Sequence, residues 1–312
     1  MCIRDRYDAL ITTDLMSLSD FKAIAGPACP PAMAYFHENQ LTYPLAPGET
    51  MDVHFGFTDI TTALAADRLR FNSHTQFNAF CKELPAFLNM MPDYRPQWVI
   101  ETLRGKAGVL HPGCEFPADV RPSVRRDDQA PLIVWNHRWE FDKDPETFFA
   151  ALDAVARQGI AFRLALLGEN FQVVPKAFIA ARQRFHDQIV CYGYEPSRQR
   201  YIDWLKQGAL VVSTATQENF GISIVEAVRH GCLPLVPKRL SSPEIIPEPW
   251  HADFLYHNQQ DLIAKLAHFL KSDQAAYASQ RQCLSEAMGT YAWENLIPDY
   301  DRELEHLAGL TG

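Results

Sequence analysis

Two glutamates, Glu218 and Glu226, stand with seven residues between them in a 312-residue chain, and the intervening stretch reads Asn219-Phe220-Gly221-Ile222-Ser223-Ile224-Val225. An apolar run ends at Ser213, a polar loop follows, and helical periodicity begins near Gly221. Backbone N–H groups at such a helix start form a ready site for an anion such as a diphosphate. Gly221 permits close backbone approach to a ligand. Glu218, in the loop, can accept hydrogen bonds from sugar hydroxyls, and Glu226, about two turns further on, from ribose hydroxyls. Asn219, Phe220 and Ile222 complete this candidate binding segment. An acidic residue at a helix start plus a solvent-facing helical glutamate would need no ligand, but the strand, loop and helix setting favours one.

A second segment, Asn136-His137-Arg138-Trp139-Glu140-Phe141-Asp142-Lys143, directly follows an apolar run. Arg138 and Lys143 lie in a loop at that strand's carboxyl end, where both can reach a diphosphate and stabilise a leaving group as negative charge develops. Ordinary surface cations are the alternative. The third segment is Tyr35-Phe36-His37-Glu38-Asn39-Gln40-Leu41-Thr42-Tyr43-Pro44. Four polar side chains in a row after an apolar strand suit the lining of a cleft, with His37 on a transferred group and Glu38 or Asn39 on an acceptor. A satisfied core histidine is the alternative. No second histidine follows at zinc-protease spacing, and no Gly-x-Gly-x-x-Gly or Walker-type loop is present, so metalloprotease, dehydrogenase and nucleoside-triphosphatase readings lose support.

The elements that must hold these segments alternate between short apolar runs and helical stretches. In the second half, strands are expected at 132–135, 162–167, 189–192, 209–213, 233–236 and 254–256. Asp144 caps a helix that begins at Pro145, and further helices cover 198–206, 222–230 and 260–270. Apolar strands alternating with helices indicate a parallel sheet covered on both faces, a doubly wound α/β domain whose ligands sit beyond the carboxyl ends of the strands. The first half repeats the pattern with strands at 9–13, 33–36, 68–72 and 108–111 and helices at 19–25, 55–66, 75–90 and 97–104. The polar stretch 121–130, with prolines at either side, reads as a linker. Domains are therefore expected at 1–120 and 131–290, with a final helical segment, 291–312, packing back across them.

Hydrophobic residues make up 47% of the chain and charged residues 21%, as in ordinary globular proteins, and no apolar run approaches the roughly 20 residues of a membrane span. Seven scattered cysteines without a Cys-x-x-Cys pair favour reduced thiols in the cytoplasm. A net charge of −9 argues against a surface that binds nucleic acid everywhere, while local clusters at Arg121, Arg125 and Arg126 and at Lys238-Arg239 remain candidates.

The run from Glu218 through Glu226 to Pro234 resembles the donor-site signature of retaining glycosyltransferases of the GT-B fold. More narrowly, the segments Tyr35 to Pro44 and Trp135 to Lys143 resemble the tRNA-queuosine α-mannosyltransferase family, over nearly the whole chain from Tyr7 onward. The resemblance implies two Rossmann-like domains facing across a cleft and transfer of mannose from GDP-mannose to queuosine at the tRNA wobble position. It also implies retention of configuration, with no metal and no cofactor beyond the donor. Glu218 and Glu226 would then hold donor sugar and ribose, Arg138 and Lys143 the diphosphate, and His37 would lie beside the transferred sugar. Family members carry further segments before the region matching Tyr7, and Met1 to Arg6 resembles nothing in them. The expectation is a truncated first domain whose sheet lacks strands and has an unpaired edge. A polysaccharide, lipid or small-molecule acceptor, or a non-catalytic nucleotide-sugar-binding fragment, are the other readings this sequence admits.

Overall fold

The computed structural model describes residues 7–45, 48, 50–117, 120, 129–169 and 174–309. The chain forms two compact units, one of Met1–Gly113 with Glu294–Gly312, the other of Cys114–Trp293.

The first unit holds strands β1 (Leu10–Thr13), β2 (Ala32–Phe36), β3 (Arg68–Phe71) and β4 (Ala107–Val109) and helices α1 (Leu18–Ala25), α2 (Val53–Ala65), α3 (His74–Asn89) and α4 (Trp98–Lys106). The strands pair in the order β1-β2-β3-β4, all parallel. Among the described residues β1 forms one edge of this sheet, with Ile11 exposed on it. Helix starts are marked by short polar side chains: Asp52 accepts from the His54 N–H, and Ser73 from the Gln76 N–H at 3.0 Å. Phe36, Phe71 and Phe80 centre the core in mutual ring contact, with centroids 5.2, 5.6 and 5.4 Å apart.

In the second unit the strands are β5 (Leu132–Trp135), β6 (Arg163–Leu167), β7 (Ile189–Gly193), β8 (Leu210–Val212), β9 (Leu233–Pro237) and β10 (Leu255–Tyr256). Their order is β10-β9-β8-β5-β6-β7, again parallel throughout. The helices are α5 (Pro145–Ala156), α6 (Lys176–Arg184), α7 (Arg198–Gln207), α8 (Ile222–Arg229), α9 (Ser242–Ile245), α10 (His251–Phe254), α11 (Gln259–Lys271) and α12 (Ala278–Met288). Strand order reverses between β5 and β8, the switch point at which doubly wound sheets bind ligands beyond their strand ends. All four residues of β5 are buried, and Trp135 packs on Phe148 with centroids 4.3 Å apart.

A final helix, α13 (Trp293–Leu307), belongs to the first unit, where Glu303 pairs with the Arg70 guanidinium at 2.6 Å and the Tyr300 hydroxyl donates to the His111 carbonyl at 3.0 Å. The unit boundary falls at Gly113 and Cys114, earlier than the expected residue 120. The reason is backbone pairing: the Cys114 N–H donates to the Tyr291 carbonyl at 2.7 Å and its carbonyl accepts from the Trp293 N–H at 3.0 Å. The expected linker at 121–130, with Arg121, Arg125 and Arg126, lies outside the described residues except for its last two. Arg239 is not a free cation, since its guanidinium donates to the Thr214 and Ala215 carbonyls at 3.3 and 3.0 Å.

Helix α12 had no clear signal in the sequence because a polar residue does core work on it. Arg281 is buried and donates to the Ala209 and Gly231 carbonyls at 2.9 and 2.7 Å. Gly168, just after β6, shows how tightly the strand ends are packed: a methyl group there would collide with the His137 carbonyl oxygen and lie 2.7 Å from the Trp139 indole. Gly168→Ala is expected to cost about 1–3 kcal/mol through overpacking and to lower the thermal midpoint by several degrees, as read by circular dichroism.

Candidate functional site

Polar side chains gather at the carboxyl end of the second unit's sheet. Helix α8 begins after Gly221, whose φ of 100° is a left-handed conformation that glycine adopts without strain. Glu226, in the second turn of α8, accepts from the Arg198 guanidinium at 2.6 Å on one oxygen and from the Tyr201 hydroxyl at 3.0 Å on the other. Both donors sit on α7. The Asn136 amide, just past β5, donates to the Tyr201 hydroxyl at 3.0 Å and to the Ser223 carbonyl at 2.8 Å. His137 beside it lies 3.2 Å from the Ser223 hydroxyl through Nδ1, and burial pushes its pKa down to about 3, so the ring is neutral at physiological pH. These bonds fasten the ends of β5, α7 and α8 together around an open cavity of about 290 Å³, lined among others by Asn136, Arg138, Tyr194, Arg198, Tyr201 and Glu226.

Glu218 and Lys143 form an adjoining cluster. The Lys143 ammonium donates to the Gln217 carbonyl at 2.8 Å and lies 3.1 Å from Asp142 and 3.4 Å from Glu218. It is nearly buried, and although burial disfavours its charge, the two carboxylates hold its pKa above the ordinary lysine value. Of the two cations read as a pair, Arg138 is half-exposed at the cavity wall and paired with Glu140 at 3.2 Å, whereas Lys143 is enclosed by protein carboxylates. Within the Glu218 to Glu226 segment, Asn219 accepts from the Gln217 amide at 2.9 Å and Ile222 is exposed. The Phe220 ring is core, edge-on to Tyr291 at 5.1 Å.

In the first unit the same sheet edge carries Asp14 after β1, His37 to Asn39 after β2, Asn72 after β3 and His111 after β4. His37 Nδ1 lies 2.8 Å from an oxygen of the fully buried Asp14, and the His37 carbonyl accepts from the Asn72 amide at 2.9 Å. The Asp14 hydrogen bond raises the His37 pKa against the opposing effect of burial. Asn39, expected to face an acceptor, turns inward instead: it is fully buried and accepts from the N–H and hydroxyl of Thr42, each at 3.0 Å, shaping the loop. Glu38 stays at the edge, half-buried. Donor atoms of Asp14, His37 and Glu38 lie within 4.8 Å of one another. No helix among the described residues is long and apolar enough to cross a membrane.

The doubly wound second unit, with a carboxylate-bearing helix at its switch point, has the architecture of a glycosyltransferase domain, and residues 118–288 match the model of glycosyl transferases group 1. Two solved structures share the two-unit fold. Sucrose-phosphate synthase from Thermosynechococcus elongatus aligns over 98% of this chain and 75% of its own, with a TM-score of 0.75 at 15% identity. The apo form of the lipopolysaccharide outer core galactosyltransferase WaaB aligns over 96% and 75%, with a TM-score of 0.64 at 12% identity. These likenesses establish the GT-B fold. Residues 2–114 match the N-terminal model of tRNA-queuosine α-mannosyltransferase, and the Drosophila melanogaster enzyme of that name is 31% identical over 282 residues, covering 86% of this chain and 72% of the fly protein. The chain belongs to the tRNA-queuosine α-mannosyltransferase family.

Sequence reasoning missed Asp14, Arg198 and Tyr201 and gave Asn136 no role of its own, because their partners are remote in sequence. It also missed Asp59 of α2, a buried carboxylate that accepts from the Gln40 N–H at 2.7 Å and thereby pins the loop carrying His37 to Asn39. Burial, first, and the nearby Asp14 and Glu38 charges raise its pKa to about 7. A carboxyl whose folded pKa exceeds its unfolded value favours folding when protonated, and it destabilises progressively as pH rises from the unfolded pKa towards the folded one. The expected penalty grows by up to about 1.4 kcal/mol per pH unit over that window and levels off above it. Asp59→Asn should remove this slope, so its thermal midpoint should exceed that of the natural chain at pH 8 by more than at pH 5; equal differences at both pH values would refute the assignment.

Proposed function

We propose that this enzyme transfers mannose from GDP-mannose to queuosine at the wobble position of a tRNA, with retention of configuration and without a metal ion, in the cytoplasm. The observation that carries the donor part is the Glu226 carboxylate at the wall of the second unit's cavity, held by Arg198 and Tyr201. Each carboxylate oxygen accepts one bond from the protein and retains a lone pair, so ribose hydroxyls can be received on an already oriented group. The first turn of α8 supplies backbone N–H groups for the diphosphate. Arg138, exposed at the same wall, adds a guanidinium that strengthens its contact as charge builds on the leaving nucleotide. Lys143 acts through Glu218, holding that carboxylate where it can receive donor-sugar hydroxyls. The identity of sugar and acceptor rests on family membership, supported by the match over both units.

In this scheme His37 meets the substrate from the first unit's edge. No carboxylate need act as general base, because the departing phosphate can take the acceptor's proton. Calorimetric titration with GDP-mannose, GDP, UDP-glucose and UDP should show selective binding of the guanine pair, and preference for the uridine pair would break the donor assignment. A transfer assay should give mannosylation of queuosine-containing tRNA and none of tRNA bearing guanine at that position. Glu226→Ala should weaken donor binding by about ten- to a hundredfold, the loss of one charge-assisted hydrogen-bond site. Arg138→Ala should lower kcat more than donor affinity, and exposed Glu305→Ala should change neither.

A further inference from the structure

The pairing of Asp14 with His37 carries one step more. Strands β1 and β2 run parallel with Thr13 beside Tyr35, which brings the residues just past their ends, Asp14 and His37, to one point on the edge. Asp14 is wholly shielded from water, and neither of its carboxylate oxygens has a hydrogen-bond partner of regular geometry among the described residues; Oδ1 lies 2.8 Å from His37 Nδ1, an ion-pair contact. A buried carboxylate is costly unless a charged or strongly polar group meets it. The His37 side chain, half-exposed, is that group. Its backbone is fixed separately by Asn72 at 2.9 Å. With Nδ1 committed inward, Nε2 is the ring nitrogen left to meet a ligand.

We propose that Asp14 is a positioning residue for His37, holding the imidazole with Nδ1–H turned inward and Nε2–H presented to a substrate oxygen. The proposal rests on the glycosyl-transfer reading above for the identity of that substrate. The groups facing the ring are Asp14 from the end of β1 and Glu38 from its own loop, with Asp59 of α2 acting on both carboxylates; all are acidic, and together they favour the charged ring. The donating form of the ring is lost as pH rises through its raised pKa, and activity should fall with it.

Asp14→Asn keeps the shape and removes the charge. Nitrogen-edited NMR of the imidazole rings, with the His37 signals assigned by their absence from His37→Gln, should show His37 titrating at lower pH in Asp14→Asn than in the natural chain. An unchanged titration would overturn the proposal whether or not mannose transfer is ever detected. In transfer assays Asp14→Asn should lower kcat by about ten- to a hundredfold and move the alkaline fall of activity to lower pH, with the calorimetric affinity for GDP-mannose unchanged. In a His37→Gln background, Asp14→Asn should cost nothing further. An equal loss in both backgrounds would assign Asp14 a purely structural role and sink the positioning argument. If the natural chain transfers no mannose, the functional reading fails while the NMR titration still decides the pairing.

Discussion

Parallel strand pairing is the constraint on which the rest depends. Every described pair in both sheets runs in the same direction, so each strand must be followed by a crossover that returns the chain to its starting side. All strands consequently end at one edge of their sheet. The sheets are apolar within and covered by helices, as the fully buried β5 illustrates. The edge is then the place where polar groups can leave the core, meet water and receive a ligand. Asp14, His37 and Asn72 occupy it in one unit, Asn136 and Arg138 in the other.

Concentrating polar groups in this way has an energetic cost that the structure offsets locally. Lys143 tolerates near-burial because Asp142 and Glu218 flank it, and Glu226 because Arg198 and Tyr201 donate to it. Removing one partner from such a set leaves a desolvated charge, so these groups act as units and their substitutions will not add. Asp59 is the exception that marks the edge as strained: its pKa of about 7 records a carboxylate that folding would rather protonate. Its tie to Gln40 keeps the loop after β2 in place regardless of that cost.

Much of this was legible in the residues. Apolar runs with period-matched helices between them gave the alternation of strand and helix to within a few residues, and the Asp144 cap with Pro145 at the first helical position located α5. What escaped notice was long-range. Nothing local in Asp14 says that the His37 imidazole awaits it past the end of the neighbouring strand, and Arg281 reads as a surface charge until Ala209 and Gly231 present their carbonyls to it. Asn39 misled in the opposite sense: a polar residue after a strand suggests a ligand, but Thr42, three residues on, had already claimed its oxygen. Phe220 sits in a ligand-like segment and serves the core, because its neighbour Gly221 is the one that must turn the chain.

The chain enters the second unit at Cys114 and leaves it at Trp293, and the two positions are joined by a backbone hydrogen bond, with a second from Cys114 to Tyr291. The second unit is therefore a closed excursion whose two ends meet, rather than a segment strung between distant attachment points. Such an arrangement makes it exchangeable. A gene lineage can replace or re-tune the second unit by substitution between these junctions while the first unit keeps its own sheet and its own closing helix. One half of the scaffold can in this way be remodelled without rebuilding the other.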